Sequence, residues 1–219
     1  MYVPAHFAET DPDVLRALVA AHPLGTWATL ADGEIVVNHV PFMLERERGP
    51  HGTLVGHVAR ANPVWQRLSP GTPSVVVFQG ADAYISPSWY PGKQAHGKVV
   101  PTWNYAIVHA HGIPRAIEDR AWLHALVTRL TDAHEAKQAA PWQVADAPAE
   151  YVDRMLGAIV GIEIPVTALV GKWKVSQNRS RADMQGVAAG LRARDDAVAA
   201  DMAALVEARV PAADHGSSG

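Results

Sequence analysis

Asp32-Gly33 sits between two stretches of alternating character, residues 26–30 and 34–44. A two-residue Asp-Gly link of this kind selects a tight hairpin, because both central residues tolerate positive φ. That one turn commits the first third of the chain to antiparallel β-structure. Further strands are expected at 52–59, 74–78, 83–85 and 159–169. A long one at 99–117 should bend near Gly112-Ile113-Pro114. Helices are expected where apolar residues recur every three to four positions. The first opens at Thr10 or Asp11 with Pro12 at its first turn and ends before Pro23. Asn62-Pro63 opens a short one reaching residue 68. Others cover 118–135, 151–156, 183–193 and 195–209.

Strands concentrated in the first half, with helices inserted and appended, indicate a mainly β or α+β fold rather than a doubly wound parallel sheet. No G-x-G-x-x-G or Walker A sequence occurs, so the nucleotide folds that those motifs signal are not indicated. The chain has no cysteine, which rules out disulfides, thiolate metal sites and cysteine nucleophiles. No run approaches the roughly 18 apolar residues of a membrane span. The amino terminus lacks the basic and apolar regions of a signal peptide. The expectation is a soluble, cytoplasmic protein with no membrane partner. With 19 basic and 22 acidic side chains the net charge is −3, which lends no support to DNA binding by overall charge.

Four segments are dense in groups that stack, hydrogen-bond or carry positive charge. They are Asn38-His39-Val40-Pro41-Phe42, then Gly56-His57-Val58-Ala59-Arg60-Ala61-Asn62-Pro63, then 84–105, then 171–179. The chain has five lysines, and four of them (Lys93, Lys98, Lys172, Lys174) lie in or beside these segments. That clustering suggests an anionic ligand. Arg60, just after a strand and just before a helix start at Asn62-Pro63, suits a phosphate; an ordinary surface arginine is the alternative. On the strand from residue 99, Trp103, Tyr105, Ile107, His109 and His111 share one face. Thr102, Asn104, Ala106 and Val108 share the other. The first face suits packing or a dimer surface, and Thr102 and Asn104 offer small polar groups to a ligand. His109 and His111 have the spacing of a nascent metal site, but no third ligand is suggested, and no metal is expected.

The same segments resemble the PaiB family, bacterial FMN-binding proteins described as negative transcriptional regulators. The resemblance is collinear and nearly full length. It runs from Met1-Tyr2-Val3-Pro4 through His22-Pro23-Leu24-Gly25-Thr26, the Gly56–Pro63 stretch and Tyr84-Ile85-Ser86-Pro87-Ser88-Trp89-Tyr90. Its most specific parts are Gly97-Lys98-Val99-Val100-Pro101-Thr102-Trp103-Asn104-Tyr105 and Gly171-Lys172-Trp173-Lys174-Val175-Ser176-Gln177-Asn178-Arg179. One local departure, Gln79-Gly80-Ala81-Asp82, stands where the family pattern suggests a Gly-Pro turn.

The resemblance implies an FMN-binding split β-barrel like that of pyridoxamine-phosphate oxidases, over residues 1–180. A helical extension would follow at 181–210 and a disordered tail at 211–219. It implies a homodimer with flavin at the subunit interface. The implied phosphate group is Arg60 with Asn62. His39, Val40 and Pro41 would supply a backbone edge, with His57 nearby. Thr102, Trp103, Asn104, Trp173, Lys174 and Gln177 would line the ring, and Lys98 or Lys174 would place a cation at its N1–C2 edge. No catalytic side chain is implied. If repression is direct, Lys172, Lys174, Arg179, Arg181, Arg192 and Arg194 are the candidate DNA surface. Two other readings are an FMN-dependent oxidoreductase and a haem-binding barrel using His39, His57 or His109 as axial ligand.

Overall fold

The computed structural model describes residues 1–212. Its elements, in chain order, begin with β1 (Ala8–Glu9), α1 (Pro12–Ala21), β2 (Leu24–Ala31), β3 (Glu34–Pro41), β4 (Met43–Glu45) and β5 (Thr53–Ala59). There follow β6 (Ser74–Ile85), α2 (Gly92–His96), β7 (Thr102–Gly112), β8 (Arg115–Ile117), α3 (Arg120–Glu135) and α4 (Ala149–Gly157). Last come β9 (Ile159–Lys174), α5 (Arg181–Arg192) and α6 (Ala197–Glu207). The strands form one sheet in the order β3-β2-β6-β7-β9-β5-β4, with β1 and β8 also paired to β9. The registers of β2 with β3 and β6, of β5 with β4 and β9, and of β1 and β8 with β9 are all antiparallel.

The β2–β3 hairpin turns at Asp32-Gly33, both at positive φ (51° and 83°). This is the geometry the Asp-Gly pair selects. The expected strand 34–44 is split in two. Phe42 still donates its N–H to the Pro23 carbonyl at 2.8 Å, in register with the hairpin, but Pro23 has no N–H to return; the Phe42 ring is buried. The two strands expected at 74–78 and 83–85 are one, because Gln79–Asp82 continues the pairing rather than turning. β9 runs five residues past its expected end and absorbs Gly171 to Lys174. The helix expected at 63–68 is a 3-10 turn, Pro63–Gln66. The expected tail at 211–219 lies outside the described residues from 213 onward.

The chain divides into two compact units. One comprises Leu15–Phe78 and His109–Leu169. Its core gathers Trp27, Phe42, Leu54, Phe78, Leu123, Leu126, Ile162 and Ile164, all essentially inaccessible. Each aliphatic or aromatic side chain so buried contributes about 1.5–3 kcal/mol. Helix α3 starts where Asp119 accepts from the Trp122 N–H at 2.7 Å, an N-cap. It then turns Leu123, Leu126 and Leu130 inward. In the same unit the buried carboxylate of Glu163 receives Arg48 and Arg115, both at 2.6 Å. That pairing satisfies a charge that burial would otherwise penalise heavily.

The other unit comprises Met1–Val14, Gln79–Val108 and the described chain from Val170 onward. Its core holds Ile85, Tyr90, Val108, Trp173, Val175, Met184, Leu191 and Met202. The C-terminal helices α5 and α6 pack on one another and belong to this unit. Gly186 and Gly190 on α5 let the helix lie directly against Trp89; a Cβ at Gly190 would stand 2.4 Å from the indole. No helix among the described residues is long and apolar enough to cross a membrane.

Candidate functional site

The candidate residues fall into two clusters, one per unit. In the unit that contains the hairpin, β5 carries Gly56 and His57 and delivers the chain to Arg60. β5 passes so close to β3 that a Cβ at Gly56 would stand 2.9 Å from both the Pro41 carbonyl oxygen and the Phe42 ring. Glycine is therefore required where the two dense segments meet. Val40 is buried at this contact, while His39 and Pro41 stay exposed on β3.

Arg60 is held from several directions. Its Nε donates to the Gly157 carbonyl at 2.8 Å, Nη1 to Glu118 at 2.7 Å and Nη2 to the Ile159 carbonyl at 3.2 Å. The guanidinium also stacks 5.6 Å from the Trp65 ring centre. Three of its five N–H donors are thus used, which leaves two. Asn62 caps the 3-10 turn, its Oδ1 accepting from the Val64 N–H at 3.0 Å, and its Nδ2 donates to Asn38 Oδ1 at 2.7 Å. The turn's amide expected to face a phosphate is consequently occupied by Asn62 itself.

Asn38 lies in a dense segment but was not singled out by the sequence reading. Its Nδ2 is buried without a hydrogen-bond partner, as is the indole Nε1 of Trp27, its cross-strand neighbour on β2. Directly opposed residues of an antiparallel pair share a face, so two orphan donors point to the same side of the hairpin. A buried unpaired donor costs about 1–3 kcal/mol. The signal that would have found Asn38 is its register opposite Trp27, which becomes visible only once the Asp32-Gly33 turn fixes the pairing.

In the other unit, Lys174 leaves the end of β9 and donates to Thr102 Oγ1 and to the Trp103 carbonyl. Burial, with Lys172 and Arg179 nearby, pushes its ammonium below the ordinary lysine value. A cation disfavoured by its surroundings is relieved by an incoming anion or anionic ring edge. Trp103, 54 % exposed, meets Tyr84 edge to face at 6.1 Å, an open aromatic surface beside that cation. Lys98 is exposed.

The remaining candidates here are buried or internally satisfied. Asn104 points to the buried face of β7, and its Nδ2 donates to Ser176 at 2.9 Å. Trp173 is buried in the core. Gln177 bridges its own turn, accepting from the Val175 N–H at 2.8 Å and donating to the Trp173 carbonyl at 2.5 Å. It holds Ser176 at φ 69°. The alternation read from sequence on β7 matches the burial, but its Asn104–Val108 face is the core face.

The basic cluster offered for DNA is largely consumed. Lys172 is buried, donating to the Tyr2 carbonyl at 3.2 Å and lying 5.2 Å from the Tyr105 ring centre. Arg179 lies 5.0 Å from the Tyr90 ring centre. Arg192 is paired with Glu207 at 2.7 Å and Arg194 with Asp196 at 3.1 Å. Of the remaining histidines, His109 and His111 have ring centres 6.2 Å apart, and burial lowers His109 below its ordinary pKa. His57 lines a separate cavity of about 240 Å³, too small for a haem or an FMN.

Two solved structures share the fold over most of the chain. The FAD- and haem-binding protein of Mycobacterium smegmatis is 18% identical with a TM-score of 0.56, covering 76% of this chain and 73% of that one. The flavocytochrome Anf3 of Azotobacter vinelandii is 15% identical with a TM-score of 0.57, covering 78% and 72%. The fold is the split β-barrel expected from the resemblance, with inserted and C-terminal helices. Protease synthase and sporulation protein PAI 2 of Bacillus subtilis is 30% identical, covering 94% of this chain and 97% of its own. An uncharacterised protein of Emericella nidulans is 34% identical, covering 87% and 90%. The relatives thus extend from bacteria to fungi. The family described as "Putative FMN-binding domain" matches residues 1–168. This chain belongs to that family of FMN-binding proteins, PaiB type included, and FMN is its cofactor.

Proposed function

We propose that this protein is a PaiB-type negative transcriptional regulator that works as a homodimer with FMN at the subunit interface. The observation that carries the reading is the pair of donor sets. Within one unit Arg60, fixed in place with two N–H donors to spare, suits a phosphate; within the other, taken by itself, Lys174 beside Thr102 and the exposed Trp103 suits a flavin ring edge. FMN, when bound, supplies reversible two-electron redox chemistry. Around it this chain's residues bind and orient. Arg60 offers its two spare N–H groups, and Lys174 a cation near the ring that stabilises negative charge there.

Strand β3 supports the dimer. It ends the sheet order and carries Ile35 at 76 % and Val37 at 53 % exposure, an apolar edge that a lone subunit would leave open to aggregation. The consumed basic cluster favours regulation through a partner or a metabolite over a broad DNA-binding face.

Light scattering on the eluting protein tests the assembly. The expected mass is twice 23.5 kDa, with flavin absorbance in the same peak. A monomeric peak carrying FMN would overturn the interface reading. NAD(P)H oxidation well above that of free FMN would replace the regulator reading with a flavin-dependent oxidoreductase.

A further inference from the structure

We infer that the cavity beside His57 is a second ligand site, shaped for a single-ring aromatic molecule that carries a hydrogen-bond acceptor. The cavity holds about 240 Å³, below the roughly 300–1,000 Å³ of sites for drug-sized ligands. It is a half-open hollow lined by Val127 and Thr131 of α3, Trp142 of the following loop, Tyr151 and Leu156 of α4, and His57 of β5. The site draws on neither the Arg60 nor the Lys174 donors, and neither residue lines the hollow.

Two observations point to an occupant. The first is apolar surface left open around one hollow. Trp142 is 46 %, Tyr151 48 % and Met155 44 % exposed, and all three line this cavity. Large apolar side chains gathered at a concave rim mark a binding site more than scattered surface residues do. Arg154 lies 5.7 Å from the Tyr151 ring centre and adds positive charge near that rim.

The second is the histidine. Nδ1 of His57 is sealed from solvent and has no hydrogen-bond partner. A buried N–H with no acceptor costs more than a bare lone pair, so the proton of the neutral ring sits on Nε2. Nε2 is then the nitrogen left to meet an occupant, and it meets it as a donor. Burial lowers His57 below its ordinary pKa, which keeps the ring neutral at physiological pH. His57, Thr131, Trp142 and Tyr151 bring donor groups to a largely apolar, aromatic-walled space, and such a lining favours a ring bearing a carbonyl or carboxylate oxygen.

Titration of the full-length protein with benzoate and benzamide, followed by calorimetry and by the 15N signals of the His57 imidazole, tests this. The expected result is saturable binding of at least one of the two at roughly millimolar Kd, in the range of a small fragment, with the Nε2 signal moving. His57→Phe keeps the ring shape but removes the donor, and should weaken binding about tenfold. Met155→Trp changes an exposed rim residue, so the protein folds while the entrance is filled. It should abolish benzoate or benzamide binding and leave FMN binding unchanged. Unaltered affinity in Met155→Trp, benzylamine binding as tightly as benzoate, or no saturation by either ligand at about 20 mM each overturns the proposal.

Discussion

At the residue scale, function here depends on which donors the chain has left unspent. Arg60 and Lys174 both bind their own backbone, yet Arg60 keeps two N–H groups and Lys174 is a cation disfavoured where it stands. Those two positions were legible because lysine is rare elsewhere in the chain and clusters in the dense segments, and because Arg60 sits between a strand and a helix start. Asn104 and Gln177 were legible as polar but not as internally bonded, since the partners Ser176 and the Trp173 carbonyl are set by the turn at the end of β9. Asn38 was hidden because only register reveals an unpaired donor.

His57 gives a pH signature of its own. Its folded pKa lies below the ordinary value near 6.5. Between the two values the unfolded chain therefore binds a proton that the folded chain refuses. The contribution vanishes above about pH 6.5 and becomes a growing penalty as pH falls below it. Urea midpoints from pH 7.5 to pH 5 should fall less steeply for His57→Gln than for the parent chain. Parallel curves would mean that the buried ring titrates normally.

At the scale of elements, local signals did well where one turn or cap decides the outcome, as at Asp32-Gly33 and at Asp119 before α3. They failed where tertiary packing decides. The β3–β4 run breaks at Phe42 because its cross-strand partner Pro23 has no N–H to return and the next residues, Met43–Glu45, pair with β5 instead. Gln79–Asp82 stays in β6, although Gly80 and Asp82 favour a turn, because the sheet pairs through it. β9 extends because Gly171 and Lys172 pair with Glu9 and Ala8 of β1, a contact between chain ends that no local pattern announces. The closest approach of the site is β5 over β3 at Gly56. Gly56→Val should destabilise the protein by about 1–3 kcal/mol, since the Pro41 backbone cannot yield as a side chain would. Thermal unfolding reads this directly, and a midpoint within about 1 °C of the parent would show that the two strands can separate without cost.

At the scale of the whole molecule, the strands crowded into the first half, with no Rossmann fingerprint, were enough to choose a β-rich fold over a parallel one. The family came from ordered, Trp-rich segments rather than from composition. What composition did not disclose is the division into two units that each hold one donor set. It also did not disclose that the basic residues near the C-terminus are spent on Glu207 and Asp196. The account therefore places the cofactor, not an open DNA-binding face, at the centre of what this protein does.

The most direct measurement is a fluorescence and absorbance titration of the purified protein with FMN, repeated on Arg60→Ala and Lys174→Ala after circular dichroism shows that both fold. The account predicts saturation at one FMN per chain and a weakening of roughly ten- to a hundredfold in each variant, the range for a hydrogen bond to a charged group. Saturation with unchanged affinity in both variants would mean that FMN binds elsewhere. No saturable binding at tens of micromolar would contradict the central claim.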